Sequence, residues 1–271
     1  MGELLSLVGV SKGFWRGQAY VGVLKDVSLD VGVGEVVAIT SRRRLGGKTT
    51  LLEIAAGMQH PDSGSVTLAG RDLQPARKRW WALWEASPER SGGPVLGHDV
   101  VWVSGNGPHR ELEVSKYVGS PLAVHGSSDV RTLAAEALDR VGARDCVGRR
   151  WGELSNWQRA RVGLARGFAG SPQLVVFDDI LDGHTSRDTD AAADLLRSLL
   201  AEANRPCAVL LSTGYYEAAV VLADQVWTIT PRGTLARRSG RTPETTSDDD
   251  ATILPFPAPG VRQDSHRIGS G

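Results

Sequence analysis

Gly46-Gly47-Lys48-Thr49 is the stretch of this chain whose residue types best suit chemistry. Glycines let backbone N–H groups close on a phosphate, and a helix N-terminus beside them adds partial positive charge. The lysine reaches the outer phosphate oxygens, and the threonine hydroxyl is placed to coordinate Mg²⁺. Thr50 completes the phosphate-binding set. Four residues alone say little, but their setting strengthens them. GEVVAIT (34–40) runs into the loop as a short strand, and Leu51, Leu52 and Ala55 follow at helical spacing. Far downstream, Asp178 closes the apolar run Leu174-Val175-Val176-Phe177 and is the expected second Mg²⁺ contact.

The elements that must hold these residues alternate along the chain. Pro61-Asp62-Ser63-Gly64 reads as a turn before the strand Ser65–Leu68, and DVVWV (99–103) as another strand. The pattern predicts helices over Thr132–Val141, Asn156–Phe168 and Asp190–Ala203, the first stopped by Gly142 and the second by Gly170 and Pro172. Leu174–Phe177 is apolar throughout, as a strand buried on both faces should be. Ala208–Leu211 and Val226–Ile229 are further strands. Strands alternating with helices predict an α/β fold around a mostly parallel sheet.

Composition is compatible with that. Of 271 residues, 31 are Lys or Arg and 31 Asp or Glu, so the formal net charge is zero. A generally basic nucleic-acid binder is excluded, and no nucleic-acid partner is expected. No apolar run reaches the roughly 18 residues that span a bilayer, and the first residues lack a secretory signal's basic start and apolar core. Cys146 and Cys207 sit in no metal or redox spacing, which suits a reducing, cytoplasmic compartment. Two stretches leave the α/β pattern. Trp80, Trp81 and Trp84 lie in an insertion over Leu73–Pro94, read either as packing on the domain or as a socket for a partner. Residues 239–271 are polar and proline-rich and read as a disordered tail.

The order of the pieces carries a resemblance. Leu154-Ser155-Asn156-Trp157-Gln158-Arg159 precedes a helix, and the Asp178 strand begins sixteen residues after Gln158. LSNWQRARVGLARGFAGSPQLVVFDD resembles the signature loop, signature helix and Walker B strand of ATP-binding cassette (ABC) transporter nucleotide-binding domains. Leu24–Leu29 and Gly34–Ala38 resemble that family's opening strands, and Leu211-Ser212-Thr213 and Ala223–Val226 its later ones. The similarity runs from about residue 4 to 238. It implies a P-loop NTPase core with a helical subdomain at about 105–170, together forming one cassette over residues 1–238. It also implies ATP and Mg²⁺ as ligands, a separate transmembrane transporter subunit, a second cassette, and a place at the inner face of a membrane. By the same resemblance Phe14, or alternatively Trp15, is the aromatic that stacks on adenine, and Ser155 is the signature hydroxyl offered to nucleotide.

Against the family pattern GxxGxGK[ST], Arg42 and Leu45 replace two glycines. Arg42, Arg43 and Arg44 then either donate to phosphate or point away. The glutamate after Walker B is Asp179, a shorter carboxylate that is the weak substitute for the catalytic base. The histidine that contacts the γ-phosphate is Gly214, the metal-linked glutamine falls at Gly105, and the aspartate of the following loop is Thr185. His184 beside it reads as a solvated loop residue or a substitute switch. Both signature glycines are lost, to Asn156 and Trp157, and Trp157 either turns outward or plugs the site. The retained Lys48, Thr49 and Asp178 imply that ATP is bound, and these losses imply either impaired hydrolysis or a non-catalytic scaffold or regulatory cassette that pairs with an intact one.

Overall fold

The computed structural model describes residues 2–41, 46–73, 99–124 and 126–238. The Arg42–Leu45 departures, the Trp80, Trp81 and Trp84 insertion and the 239–271 tail lie outside the described residues. Two long strands, β1 (Glu3–Arg16) and β2 (Ala19–Gly32), form an antiparallel hairpin joined edgewise to β4 (Ser63–Leu68) and β5 (Arg71–Asp72). A second sheet has the order β10-β9-β3-β8-β7-β6, from β3 (Val36–Ser41), β6 (Val100–Ser104), β7 (Leu174–Asp178), β8 (Ala208–Ser212), β9 (Gln225–Ile229) and β10 (Leu235–Arg238). Its strands run parallel except β10, which returns antiparallel on β9. The expected α/β architecture with a mostly parallel sheet is therefore present, and an antiparallel sheet stands beside it.

Strict alternation divides the parallel strands between two cores. Val36, Ala38, Val101, Val103, Val175, Phe177, Val209 and Leu211 face one cluster. Their neighbours Val37, Ile39, Val100, Leu174, Val176, Ala208 and Leu210 face the other. Successive side chains on a strand point to opposite faces, so both faces are covered and the strands read as unbroken apolar runs. Helix α1 (Lys48–Ala55) brings Leu51, Leu52, Ile54 and Ala55 to the second cluster, where the antiparallel sheet also packs. The first is roofed by α2 (Val114–Val124), α3 (Val130–Arg140), α4 (Asn156–Phe168), α5 (Ser186–Ala201) and α6 (Tyr216–Leu222).

Local chemistry sets the helix ends. Ser155 caps α4 by accepting the Gln158 N–H at 3.2 Å, while the Gln158 side chain accepts the Ser155 N–H at 3.0 Å. Helix α5 begins four residues before its expected start, because Thr185 accepts the Asp188 N–H at 3.1 Å and so caps Ser186 onward. The expected turn at 61–64 is shorter than its sequence suggests, since Ser63 and Gly64 already belong to β4.

One buried-edge contact fixes the tip of the long hairpin. Asp62 accepts the Gly13 N–H at 2.8 Å and the Tyr20 hydroxyl, and pairs with Lys12 Nζ at 3.0 Å. Burial works to raise the Asp62 carboxyl, but the bonds from Tyr20, Gly13 and Lys12 outweigh it and hold it below the ordinary carboxylate range. Because the folded value is depressed, this stabilisation is present above the unfolded carboxylate pKa of about 4 and is lost as pH falls through the folded one. Asp62→Ala should lower the unfolding free energy by about 1.5–3 kcal/mol at neutral pH. Urea titrations should show that gap narrowing below about pH 4; a gap that persists in acid would assign the loss to packing.

Candidate functional site

Parallel register gathers the polar residues at one end of the sheet. Ser104 pairs with Asp178, Asp178 with Ser212, and Ser212 with Ile39, so the carboxyl ends of β6, β7, β8 and β3 lie in one row. The carboxyl ends of parallel strands are where α/β sheets bind ligands. Helix α1 starts at this edge. Its N-cap Gly47 is left-handed at φ 86, and a Cβ there would lie 2.7 Å from Val23 Cγ1. No side chain caps α1 and its first turn holds no acidic residue. Gly46, Gly47, Lys48, Thr49 and Thr50 therefore present N–H groups with the charge preference of a helix N-terminus.

The predicted metal contacts meet. Thr49 Oγ1 donates to Asp178 Oδ2 at 3.0 Å, and Ser212 Oγ donates to Asp178 Oδ1 at 2.7 Å. Burial pushes the Asp178 carboxyl up, opposed by the hydrogen bonds from Ser212 and Thr49. Burial and the nearby Asp178 charge push Glu53 up as well. Hydroxyl and carboxylate oxygens are the hard donors that Mg²⁺ takes, so the set fits that ion. Among the described residues no three His, Cys, Asp or Glu side chains form a complete cage. That matches a cation that fills its shell with phosphate and water.

Lys48 is only 8% exposed, and its Nζ stands 3.6 Å from Asp179 Oδ1. Asp179 also lies 2.8 Å from Ser212 Oγ, and its own N–H donates to that oxygen at 3.0 Å. Its backbone is left-handed at φ 54. The substitute for the catalytic glutamate is thus turned back onto the lysine and the end of β8.

Gly105 shows how the glutamine position is closed. Its N–H donates to the Asp178 carbonyl at 2.7 Å, and a Cβ on it would lie 2.5 Å from the Asp179 carbonyl oxygen. No side chain fits there unless the backbone moves.

Phe14 and Trp15 sit near the tip of the hairpin. Phe14 pairs with Val21, two residues from the Val23 that touches Gly47, and Lys12 Nζ lies 5.6 Å over its ring. Trp15 is 62% exposed against 36% for Phe14, and meets Tyr20 edge-on at 5.4 Å. Phe14 is therefore the aromatic nearer the loop.

At the signature position Trp157 packs against its own domain's core and meets His184 edge-on at 6.2 Å, with Arg161 over its other side at 5.7 Å. It neither turns outward nor stands free. The solvated reading of His184 fails too, since both ring nitrogens are buried and have no hydrogen-bond partner among the described residues. Thr185 caps α5, and the Ser155 hydroxyl caps α4 by accepting the Gln158 N–H. Sequence reading passed over two residues of the site, Ser212 and Asp182. Asp182 accepts the Thr213 hydroxyl at 2.6 Å and the Gly214 N–H at 3.0 Å, and only the fold brings positions 31 residues apart together.

Filling the Gly105 contact is a direct test of this geometry. Gly105→Ala should cost about 1–3 kcal/mol, the usual range for overpacking, and Gly105→Gln at least as much without raising any turnover. A melting temperature unchanged in both variants would show that the backbone there yields freely.

Comparison with known proteins identifies the family. Residues 24–182 match the family model described as ABC transporter. The chain is 32% identical to the sulfate/thiosulfate import ATP-binding protein CysA of Synechococcus elongatus over 219 residues, which are 80% of this chain and 57% of that protein. It is 31% identical to the methionine import ATP-binding protein MetN of Cereibacter sphaeroides, over 81% of this chain and 59% of the relative. Against the macrolide export ATP-binding/permease protein MacB of Burkholderia cenocepacia, 31% identity extends over 72% of this chain and 27% of the relative. The chain thus spans less than two thirds of these relatives. A nucleotide-free ATP-binding cassette from an ABC transporter superposes with a TM-score of 0.67 at 19% identity, covering 89% of this chain and 92% of that one. The dimeric structure of a bacterial ABC transporter cassette gives 0.69 at 21% identity, over 87% and 99%. The family match covers more than half of the chain, and the chain belongs to the ABC transporter family.

Proposed function

We propose that this chain is a nucleotide-binding subunit of an ABC transporter that binds Mg-ATP and hydrolyses it poorly at its own site. The observation that carries the reading is the Thr49–Asp178 contact at 3.0 Å beside the buried Lys48. Lys48 and the N–H groups of Gly46 to Thr50 bind the phosphates, Phe14 offers the adenine a face, and Thr49 and Asp178 hold Mg²⁺. When bound, the ion neutralises charge on the phosphate oxygens. Among the described residues no helix is long and apolar enough to cross a membrane. The partners are a separate membrane-spanning subunit and a second cassette; this is supported by the import ATP-binding proteins among the relatives and by the dimeric bacterial cassette of the same fold.

Hydrolysis needs a water-orienting carboxylate, and Asp179 is engaged by Lys48 and Ser212 instead. Gly214 has no side chain to meet a terminal phosphate, and Gly105 has none to reach metal or water. The Trp157 ring lies against His184 rather than leaving a small-residue face at the signature. The same observations favour a second reading, a non-catalytic scaffold or regulatory cassette that pairs with an intact one.

Two measurements decide between them. Lys48→Ala should weaken Mg-ATP binding at least about tenfold in calorimetry, since a charged contact in a partly dry site is lost. No binding by the unaltered chain would leave only the scaffold. Turnover by the chain alone should lie at least about a hundredfold below that of an intact cassette. Robust activity abolished by Lys48→Ala would overturn impaired hydrolysis.

A further inference from the structure

Three carboxylates converge on the edge that holds Lys48. Asp178 and Asp179 have partners there, in Thr49, Ser212 and the lysine. Asp182 has no ion pair among the described residues, yet its carboxylate is held firmly. The Thr213 hydroxyl donates to Oδ1 at 2.6 Å, and the Gly214 N–H donates to Oδ2 at 3.0 Å. Thr213 is fully buried and is itself fixed, because its N–H donates to the Ile39 carbonyl at 3.2 Å and its hydroxyl accepts the Tyr215 N–H at 3.1 Å. Asp182 is near enough to feel both the attraction of Lys48 and the repulsion of Asp179. Its carboxylate also fills the space in front of Gly214, where a Cβ would stand 3.2 Å from Oδ2.

That position matters for a phosphate chain. Gly47 and the first turn of α1 receive the inner phosphates, and Lys48 reaches outward along the chain to the last of them. Beyond Lys48, at the ends of β7 and β8, stand Asp179 and then Asp182. A third phosphate adds negative charge at the end of the site where a held, half-buried carboxylate has no countercharge of its own. A diphosphate ends before it. At the effective dielectric of a protein surface, one added like charge within about 10 Å is enough to shift affinity about tenfold where Lys48 offsets it only in part. The Gly214 N–H, an ordinary donor to a terminal phosphate, is already taken by Asp182.

We propose that Asp182 is a specificity-determining residue that disfavours the terminal phosphate, so that the site prefers a nucleoside diphosphate to the triphosphate. This inference rests on the nucleotide-binding reading above and adds to it which nucleotide is retained. A cassette of this kind stays loaded with diphosphate while its partner cycles.

The test is calorimetry of the full chain with Mg-ADP and with a Mg-bound non-hydrolysable ATP analogue. The unaltered chain should bind Mg-ADP at least about tenfold tighter. Asp182→Asn keeps an oxygen to accept from Thr213 and Gly214 and removes only the charge, while Asp182→Ser also opens the space. Both should tighten the triphosphate at least about fivefold and change the diphosphate by less than about twofold, with melting curves confirming that each variant is folded. Equal affinities in the unaltered chain, or a preference that persists in both variants, overturn the role of Asp182 and leave nucleotide binding standing. Binding of neither nucleotide, with Lys48→Ala silent, overturns nucleotide binding and this inference together.

Discussion

The site depends on the parallel register that sets Ile39, Ser212, Asp178 and Ser104 side by side. Within β3, β7 and β8 the side chains are buried on one face or the other up to the last residue, so charged groups gather where the ladder ends. At that row the backbone is still held by the sheet while the side chains emerge from apolar surroundings. Polar atoms leaving such a core are partly desolvated, and each needs a partner close by. Ser212 illustrates the economy of the arrangement, because one buried hydroxyl lies within hydrogen-bond distance of both Asp178 and Asp179. The α1 N-terminus can meet the same row only because Gly47 takes a left-handed turn against Val23.

Desolvation then sets the electrostatics. Burial raises the Asp178 and Asp182 carboxyls, and mutual repulsion from Asp179 adds to it in both cases. Against three carboxylates the described part of the site sets one lysine and a helix N-terminus. A bound cation between Thr49 and Asp178 would relieve the repulsion, and phosphate would compete with Asp179 for Lys48. Ligand binding here is an exchange of partners among charges already close together, not the filling of an empty hole. Its net free energy is the difference between those two sets of contacts.

Much of this was legible in the residues because the signals were local. The end of α4 followed from a glycine–proline stop, and the structure places that helix at Asn156–Phe168. The Thr49–Asp178 contact was legible as a hydroxyl after the lysine and a carboxylate at the end of an apolar run. Where reading failed, the deciding contact was non-local or overlooked. The Thr185–Asp188 cap was in the sequence, but Thr185 drew notice only as a departure from a family pattern. His184 reads as a loop residue until the fold sets it against Trp157. The antiparallel sheet beside the parallel one was hidden because bulges break the alternation of β1 and β2, with register shifts near Val10 and Lys12. Asp182 was invisible because its partners, Thr213 and Gly214, lie 31 and 32 residues away, just past the end of β8.

The departures from the family pattern are matched in pairs, and this bears on what they mean. Gly105 lies so close to Asp179 that a side chain on the first would strike the backbone of the second, whose φ of 54 is itself unusual for a residue with a Cβ. Gly214 lies against Asp182, whose carboxylate takes the N–H and the space that a side chain at 214 would use. Residues in direct contact do not contribute independently, so restoring one member of either pair meets the other unchanged. Here Asp178, Asp179 and Asp182 each have hydrogen-bond partners, and the space a side chain at 105 would need is taken by backbone. The described edge is thus an arrangement of three carboxylates around one lysine in which each carboxylate is held by its neighbours.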